Sequence, residues 1–326
     1  MKKLSDASLV LYGSSLIIII FLVGYFFPFI ADAPALRAGS WLMIIILMSA
    51  FAVLLGLRIS GRPAGVFINE RYKMSLSRFQ LVVWTIIVLS AFVTIALGRV
   101  QAYSVDPSYF ADPLIPDPLA IEVPSQLWAL LGISTASLVG SPLVLSPKKS
   151  KTPTTLALVR AAQIASTKED VSNDKNVKAA KSNYDQAVVS NANISIMRSA
   201  RDKWEKAILA AQKGRVQSLL TTYQGNVQVQ GTLSSNTDPS KAEFSEIFRG
   251  DEVGNQNVID MAKVQMFFFT ILIVFSYAVM LMMLLLTTEP AAITKFPELT
   301  EATIALLGIS SGGYLANKAP DKTKTM

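Results

Sequence analysis

The sequence contains no cysteine and no histidine among its 326 residues. The absence of cysteine excludes disulfides, thiolate metal sites, iron–sulfur clusters and cysteine nucleophiles. The absence of histidine removes the most common general base, the most common transition-metal ligand and the haem ligand of most cytochromes. We therefore predict that the chain is not an enzyme and that it holds no cofactor and no metal ion.

Charged residues are scarce as well, at 16% of the chain against 51% hydrophobic residues. Soluble proteins carry about 25% charged residues. The apolar residues form blocks of roughly 20, which is long enough to cross about 30 Å of hydrocarbon. These blocks predict an all-α membrane protein with about six transmembrane helices, the last of them short enough to be only partly embedded. The blocks span residues 9–31, 41–57, 79–97, 125–145, 264–286 and 300–315.

Basic residues predict the orientation of these helices. In a six-span arrangement, every basic cluster falls on the same side of the membrane, from Lys2 and Lys3 to Lys322 and Lys324. The alternate loop at residues 100–123 carries four acidic residues and no basic one. The positive-inside rule therefore predicts that both termini lie in the cytosol. The predicted location of the protein is the bacterial inner membrane. The formal net charge is +7, and much of the excess of basic residues lies beside the apolar blocks. This distribution indicates lipid headgroups as partners and not nucleic acid.

The N-terminus permits a second interpretation. Lys2, Lys3, an apolar stretch and Ala31-Asp32-Ala33 together resemble a signal peptide with its cleavage site. The apolar stretch is longer than the corresponding region of signal peptides. A first transmembrane helix is therefore the favoured interpretation.

An internal repeat relates two parts of the chain. The hexapeptide Ala129–Ser134 recurs as Ala305–Ser310, each time after a proline. Upstream of each copy, a basic residue and a glutamine open a long apolar helix at the same spacing. We interpret this as a duplicated two-helix hairpin in parallel orientation. The predicted domains are a leading transmembrane hairpin at 1–60, repeat 1 at 61–145, a cytosolic helical insertion at 146–261, and repeat 2 with a short tail at 262–326.

Small residues recur four apart in both copies, beside serines. This spacing predicts close helix packing between the repeats, as is common in membrane helices. The alternative is that a Ser/Gly face borders a water-filled path. The residues concerned are Gly132, Ser134, Ala136 and Gly140 in repeat 1, and Gly308, Ser310, Gly312 and Ala316 in repeat 2.

The insertion contains two apolar series with three- and four-residue spacing, residues 177–188 and 194–211. They are separated by a polar turn at 190–193 and predict an antiparallel helical hairpin. Its large side chains Tyr184, Met197 and Trp204 are predicted to dock a protein partner. Further along, the alternating residues 227–230 fit either a short strand or a flexible loop.

An acidic segment precedes the fifth block. Asp251, Glu252, Asn255 and Asp260 offer oxygens to a hard cation, but their spacing is not that of an EF-hand loop. A turn is the favoured interpretation. No nucleotide-binding glycine loop of the common kinds occurs in the chain.

The cores of the apolar blocks contain no ionisable residue, since Glu301 lies at the entry to the last block, and this argues against a coupled transporter. The first functional hypothesis is a non-catalytic membrane scaffold or anchor with a cytosolic docking domain. The second is a homo-oligomeric channel with Ser/Gly-lined helices gated by that domain. A lipid-active enzyme using acidic residues at the outer interface comes third.

Overall fold

The structure is a computed structural model, and it describes residues 5–26, 34–107, 117–154, 157–158, 175–190, 193–207 and 227–325. By its contacts the chain splits into two compact units. The membrane unit comprises Met1–Pro147, Asp238–Arg249 and Ile259–Pro320. The insertion unit comprises Lys148–Thr237, Gly250–Val258 and Asp321–Met326. The contacts thus join residues 321–325 to the insertion unit and residues 238–249 to the membrane unit.

The described chain is mostly helical, which confirms the predicted all-α class. Its helices are α1 (Asp6–Phe26), α2 (Pro34–Ser60), α3 (Leu76–Val105), α4 (Ser125–Leu145), α5 (Lys175–Val189), α6 (194–207), α7 (Met261–Thr287) and α8 (Glu301–Lys318). Two short strands, β1 (Val227–Gln230) and β2 (Leu233–Asn236), pair antiparallel.

Five of these helices are long and apolar enough to cross a membrane: α1, α2, α3, α4 with its 3₁₀ continuation to Ser150, and α7. The protein is therefore membrane-embedded. The 18 residues of α8 rise about 27 Å, and this helix is not among the five. Burial within the protein differs between the spans, from 11% of the apolar window of α1 to 44% of that of α3. The large apolar side chains that remain exposed, such as Ile18 and Phe275, suit contact with lipid.

The ends of the helices follow ordinary capping chemistry. Ser75 Oγ accepts from the backbone N–H of Arg78 at the start of α3, and Asp260 caps α7 in the same way. The loop that the sequence analysis placed at residues 100–123 begins later in the structure, since α3 continues to Val105. The first proline of that loop is Pro107, so only Asp106 is forced out of the helical conformation. Residues 108–116 of the loop lie outside the described residues.

The main core of the membrane unit lies between α2, α3, α4, α7 and α8. Trp41, Trp84, Tyr277 and Phe296 are its largest apolar side chains, and all are buried. Trp41 Nε1 donates to Ser90 Oγ at 2.9 Å, so the indole N–H is satisfied inside the bundle. Because lipid tails are as apolar as these side chains, van der Waals packing and such hydrogen bonds stabilise this core in the membrane.

A second core lies at the N-terminal ends of α3 and α7. Its aromatic rings form a chain: Phe79 lies 5.6 Å from both Phe67 and Phe267, and Phe267 lies 5.0 Å from Phe248. The segment Phe244–Phe248 reaches this core, and its Glu246 carboxylate accepts from the backbone N–H of Met74 at 2.9 Å. Residues assigned by sequence to the insertion therefore contribute to the core of the membrane unit.

The insertion unit contains the helical hairpin and the strand pair. Helices α5 and α6 agree with the two predicted apolar series, and the strand alternative for residues 227–230 is the one observed. The strands turn at Gly231, whose φ of +63° suits glycine and whose Cα faces the carbonyl of Lys148. The end of the second predicted series, residues 208–211, lies outside the described residues.

Candidate functional sites

The small residues spaced four apart on α4 and α8 are here called the small-residue stripes. They do not form the contact between the two helices in the way the sequence predicts. The two helices do pack together, and a Cβ on Gly140 would lie 3.1 Å from Leu315. However, Gly132 and Gly312 are exposed, and a Cβ on either would have no neighbour within 4 Å among the described residues. Most of the stripe thus faces away from the bundle. The other small residues are Ala136 and Ala316, both exposed, and Gly308, which is half-buried.

The serines beside the stripes face inward instead. Ser134 and Ser310 are buried, and Ser137, Ser141 and Ser311 share the same interior faces of α4 and α8. Ser134 Oγ donates to the Leu130 carbonyl at 3.1 Å, as expected for a hydroxyl that bonds back to its own helix. The sequence spacing predicted one packing face that contains both the glycines and the serines. The structure buries Ser134 and Ser310 but leaves Gly132 and Gly312 exposed.

A hydrogen-bonded network joins three helices at one end of this interior. Ser77 Oγ on α3 donates to Tyr314 Oη at 3.1 Å, and Tyr314 Oη donates to Ser141 Oγ at 3.4 Å. Lys318 Nζ donates to the same serine at 2.6 Å and lies 4.4 Å from the centre of the Tyr314 ring. All four side chains are buried. The network fixes α3, α4 and α8 at the same level.

Beyond this network, the interior contains polar groups that make no hydrogen bond to any described residue. They are both amide atoms of Gln80, the indole N–H of Trp84, and the hydroxyls of Ser137, Ser310 and Ser311. Each of the five side chains is at least nine-tenths buried. An unsatisfied buried polar group costs about 1–3 kcal/mol, so several together are unusual in a folded protein.

Two buried arginines were missed by the sequence reasoning, which placed charges only at helix ends. Arg99 lies inside α3, fully buried, and its guanidinium donates to the Pro118 carbonyl at 2.7 Å. Arg37 lies in the first turns of α2 and donates to the Leu285 carbonyl at 3.1 Å, near the end of α7. Both guanidinium groups stabilise backbone carbonyls that lack a helical partner. A charge at the edge of an apolar block is the signal that marks such residues.

The predicted docking residues occupy the inner side of the helical hairpin. Tyr184 and Trp204 stack on each other with ring centroids 5.6 Å apart and planes 24° apart. Both are half-buried, as is Met197. The stacked rings therefore hold α5 against α6, whereas a docking role for them remains a prediction.

The exposed apolar side chains of the hairpin lie at its tip. Val189 is 87% exposed, Ile194 69% and Ile196 56%, and the three flank the turn between the helices. We call these residues the hairpin tip. Around it the described hairpin carries seven basic and three acidic side chains, which gives it a positive charge.

The carboxylates of the acidic segment accept hydrogen bonds from other groups of the protein. Glu252 pairs with the Lys148 ammonium at 2.6 Å, with both side chains buried, and accepts from the backbone N–H of Thr323 at 2.8 Å. Asp321 binds Lys151 nearby, and this hydrogen bond lowers the pKa of the Asp321 carboxyl. Asp260 caps α7 and accepts from Asn317.

These contacts support the interpretation of the acidic segment as a structural turn. Across the described residues, no three Asp or Glu side chains are grouped so as to hold a metal ion. The chain matches no protein-family model, and no curated protein and no solved structure is significantly similar to it.

Proposed function

We propose that the protein is a non-catalytic membrane anchor that presents its helical hairpin to a soluble protein partner. The observation that carries this proposal is the hairpin tip, where three large apolar side chains are exposed at the end of a basic hairpin. The Tyr184–Trp204 stack stabilises the hairpin, so the tip is presented on a defined support. A partner surface that is apolar at its centre and acidic at its rim would complement it.

The topology proposed for this anchor has six spans and cytosolic termini. Arg37 at the start of α2 binds the end of α7, and Arg99 near the end of α3 binds the Ile293 carbonyl between α7 and α8. These contacts support the alternation that six spans require, because they bring the start of α2 and the end of α3 close to the end of α7 and the segment that follows it. The basic clusters then lie on the opposite, cytosolic side.

The proposed duplication of α3–α4 as α7–α8 has its own support. Ser134 and Ser310 occupy the same position in their helices, nine residues after Ser125 and Glu301, and both are buried. The segments before α4 and α8 also lie side by side, since the Glu122 N–H donates to the Thr294 carbonyl at 2.8 Å. Gln80 and Gln265 differ, because only the first is buried. The two copies would thus have the same order of helices but would bury different side chains.

The topology predicts which single cysteines an impermeant thiol reagent can reach. In intact cells, Ser5→Cys, Ser150→Cys and Thr325→Cys are expected to stay unlabelled until the membrane is permeabilised, whereas Ser108→Cys is expected to label at once. Because the chain has no native cysteine, every signal comes from the introduced residue. Labelling of Ser150→Cys from outside would place the insertion on the outer side and contradict the proposed orientation.

The docking role predicts a site-specific crosslink. A photoreactive amino acid at Val189 is expected to give a discrete adduct with one soluble protein in intact cells, and Ile194→Asp is expected to abolish that adduct. The matched control is the same photoreactive residue at Ser182, an exposed polar position on α5 of the same hairpin. Equal adducts from both positions, or an adduct that survives Ile194→Asp, would contradict docking through the hairpin tip.

The homo-oligomeric channel remains the second candidate function. The inward serines and the unsatisfied hydroxyls of α4 and α8 favour it, since polar groups of this kind line aqueous paths in membranes. In that case the outward small-residue stripes, with Gly132 and Gly312, would supply the contact between subunits.

A further inference from the structure

The polar groups without a hydrogen-bond partner lie in the membrane unit, about one helical turn from the network around Tyr314. Tyr314 hydrogen-bonds both Ser77 and Ser141, which brings α3, α4 and α8 to the same level at that point. Gln80 lies three residues after Ser77 on α3, and Ser137 lies four residues before Ser141 on α4. These steps correspond to about 4.5–6 Å along each helix.

The directions of the helices bring these groups together. Helix α4 runs opposite to α3, because Arg99 near the end of α3 donates to the Pro118 carbonyl shortly before α4 begins. Helix α8 runs parallel to α4, because the segments before the two helices are joined where the Glu122 N–H donates to the Thr294 carbonyl. One step back along α4 or α8 therefore leads the same way as one step forward along α3.

Helix α8 contributes two serines at this level. Ser310 and Ser311 precede Tyr314 by four and three residues, so they move away from the network by the same distance as the groups on α3 and α4. The side chains of this region that have no partner among the described residues are each at most 4% exposed, and we call them the polar cluster: Gln80, Trp84 one turn further along α3, Ser137, Ser310 and Ser311.

Buried hydroxyls elsewhere in these helices are satisfied by their own backbone. Thr94 Oγ1 donates to the Ser90 carbonyl at 2.8 Å, and Thr270 Oγ1 donates to the Met266 carbonyl at 2.7 Å. A hydroxyl in a membrane helix commonly makes this bond to the carbonyl one turn back. The three serine hydroxyls of the polar cluster make no such bond, so their hydrogen-bonding capacity is available to an occupant of the interior.

Gln80 selects the charge of that occupant. Its Oε1 accepts hydrogen bonds only and its Nε2 donates only, and both atoms are without a partner. An anion would satisfy Nε2 and the indole N–H of Trp84, but it would be repelled by the Oε1 dipole. A cation would satisfy Oε1 and would oppose both N–H groups. An uncharged molecule that offers donors and acceptors together satisfies all of them.

We propose that the polar cluster is a buried binding site for a small uncharged molecule that both donates and accepts hydrogen bonds. Water has this chemistry and commonly fills such positions in protein interiors, and a small alcohol or amide shares it. The occupant is small, because the packed helices enclose the polar atoms of the cluster. This proposal does not rest on the anchor function, since the hairpin tip contributes nothing to the site.

The test uses the purified full-length protein in detergent, with ¹⁵N-labelled tryptophan. The chain has four tryptophans, so the indole signals are few, and Trp84→Phe identifies the signal of Trp84. Water held in the polar cluster is expected to give an NMR cross-relaxation peak with the Trp84 indole N–H. Trp41 is the matched control, because it is also buried and donates to Ser90 Oγ at 2.9 Å. A peak relayed through an exchangeable serine hydroxyl would appear at Trp41 as well.

Added solutes separate the two sources of the occupant. If a small alcohol or amide binds, glycerol or acetamide is expected to shift the Trp84 signal with a saturable concentration dependence and to remove the water peak. If water is the occupant, the water peak is expected to persist at every solute concentration. The absence of both a water peak specific to Trp84 and a saturable shift would overturn the proposal. A saturable shift caused by chloride, or by replacing sodium with potassium, would also overturn it, because the occupant would then be charged.

Serine-to-alanine variants give a second readout, whose sign depends on whether the hydroxyls are satisfied. If an occupant bonds them, Ser137→Ala and Ser310→Ala are expected to lower the thermal unfolding temperature and to weaken the signature of the occupant at Trp84. A higher unfolding temperature in these variants would overturn the proposal, because it would mean that each change removes a buried unsatisfied group. Thr135→Val, which removes an exposed hydroxyl bonded to the Leu131 carbonyl on the same helix α4, is expected to leave the Trp84 signal unchanged.

Discussion

Replacing Glu252 with glutamine is expected to lower the free energy of unfolding of the insertion unit by about 3–5 kcal/mol, the range for breaking a buried ion pair. The Glu252 carboxylate and the Lys148 ammonium lie 2.6 Å apart, and each side chain is only 3% exposed. Glutamine is nearly isosteric with glutamate, so the change removes the charge while the shape is kept. The Lys148 ammonium would then remain buried without its principal counter-charge.

Glu252 also organises the C-terminal residues of the insertion unit. Its carboxylate accepts from the backbone N–H groups of Lys322 at 3.0 Å and Thr323 at 2.8 Å, and Thr323 Oγ1 accepts from the Gly254 N–H at 2.9 Å. One carboxylate therefore ties residues 148, 252 and 322–323 together. We expect the loss of charge to release residues 321–325 before the rest of the chain unfolds.

Limited trypsin digestion after Lys322 and Lys324 measures this release, and thermal unfolding in detergent measures the total loss. Glu205→Gln is the matched control, because Glu205 pairs with Arg201 on the surface of α6, where both side chains are more than half exposed. Such surface pairs contribute about 0–1 kcal/mol, so this variant should behave like the wild type. Equal digestion rates for the two variants would mean that the buried pair does not hold the C-terminal residues.

The long apolar helices of this protein could be predicted from the sequence because an apolar block of about 20 residues is the length that a helix needs to cross a membrane. It also predicted α5 and α6 from their three- and four-residue spacing. It did not predict the role of Glu252, since its partner Lys148 is 104 residues away in the chain and no local pattern connects the two. The acidic segment was correctly interpreted as a turn, but the reason for its charges lies in these distant donors.

The interior of the bundle was predicted only in part, for a reason of geometry. Helical spacing identifies which residues share a face, but it does not say which face meets another helix. Small residues on α4 and α8 suggested the contact side, yet Gly132 and Gly312 are exposed and the serines are inside. Likewise Arg99 lies just beyond the predicted apolar block at 79–97, whereas hydrogen bonds to loop carbonyls allow it to be buried within α3.

The glycines that do mediate close approach lie elsewhere, and Gly56 in α2 is the strongest case. After Ser60 the chain turns back, and the 3₁₀ helix Pro63–Phe67 lies against the end of α2. A Cβ on Gly56 would lie 2.7 Å from the Arg62 carbonyl oxygen and 2.8 Å from the Gly65 nitrogen. These neighbours are backbone atoms, so they cannot move aside by changing a rotamer.

Gly56→Ala is therefore expected to lower the free energy of unfolding of the membrane unit by about 1–3 kcal/mol, the typical cost of overpacking. Thermal unfolding in detergent checks this. Gly39→Ala on the same helix is the control, since its added Cβ would meet nothing within 4 Å among the described residues. Because alanine is the better helix former, that variant should be unchanged or more stable by up to about 1 kcal/mol.

Gly132→Ala extends the comparison to the small-residue stripe and separates two explanations. If contacts within one chain decide the outcome, Gly132→Ala should resemble Gly39→Ala, because both glycines are exposed and have open space beside them. If Gly132→Ala instead destabilises as much as Gly56→Ala, the stripe packs against something other than the described residues, and a concentration-dependent loss of stability would identify it as a second copy of the chain. Equal stability of all three variants would contradict the close approach at Gly56, where backbone atoms leave no space for a methyl group.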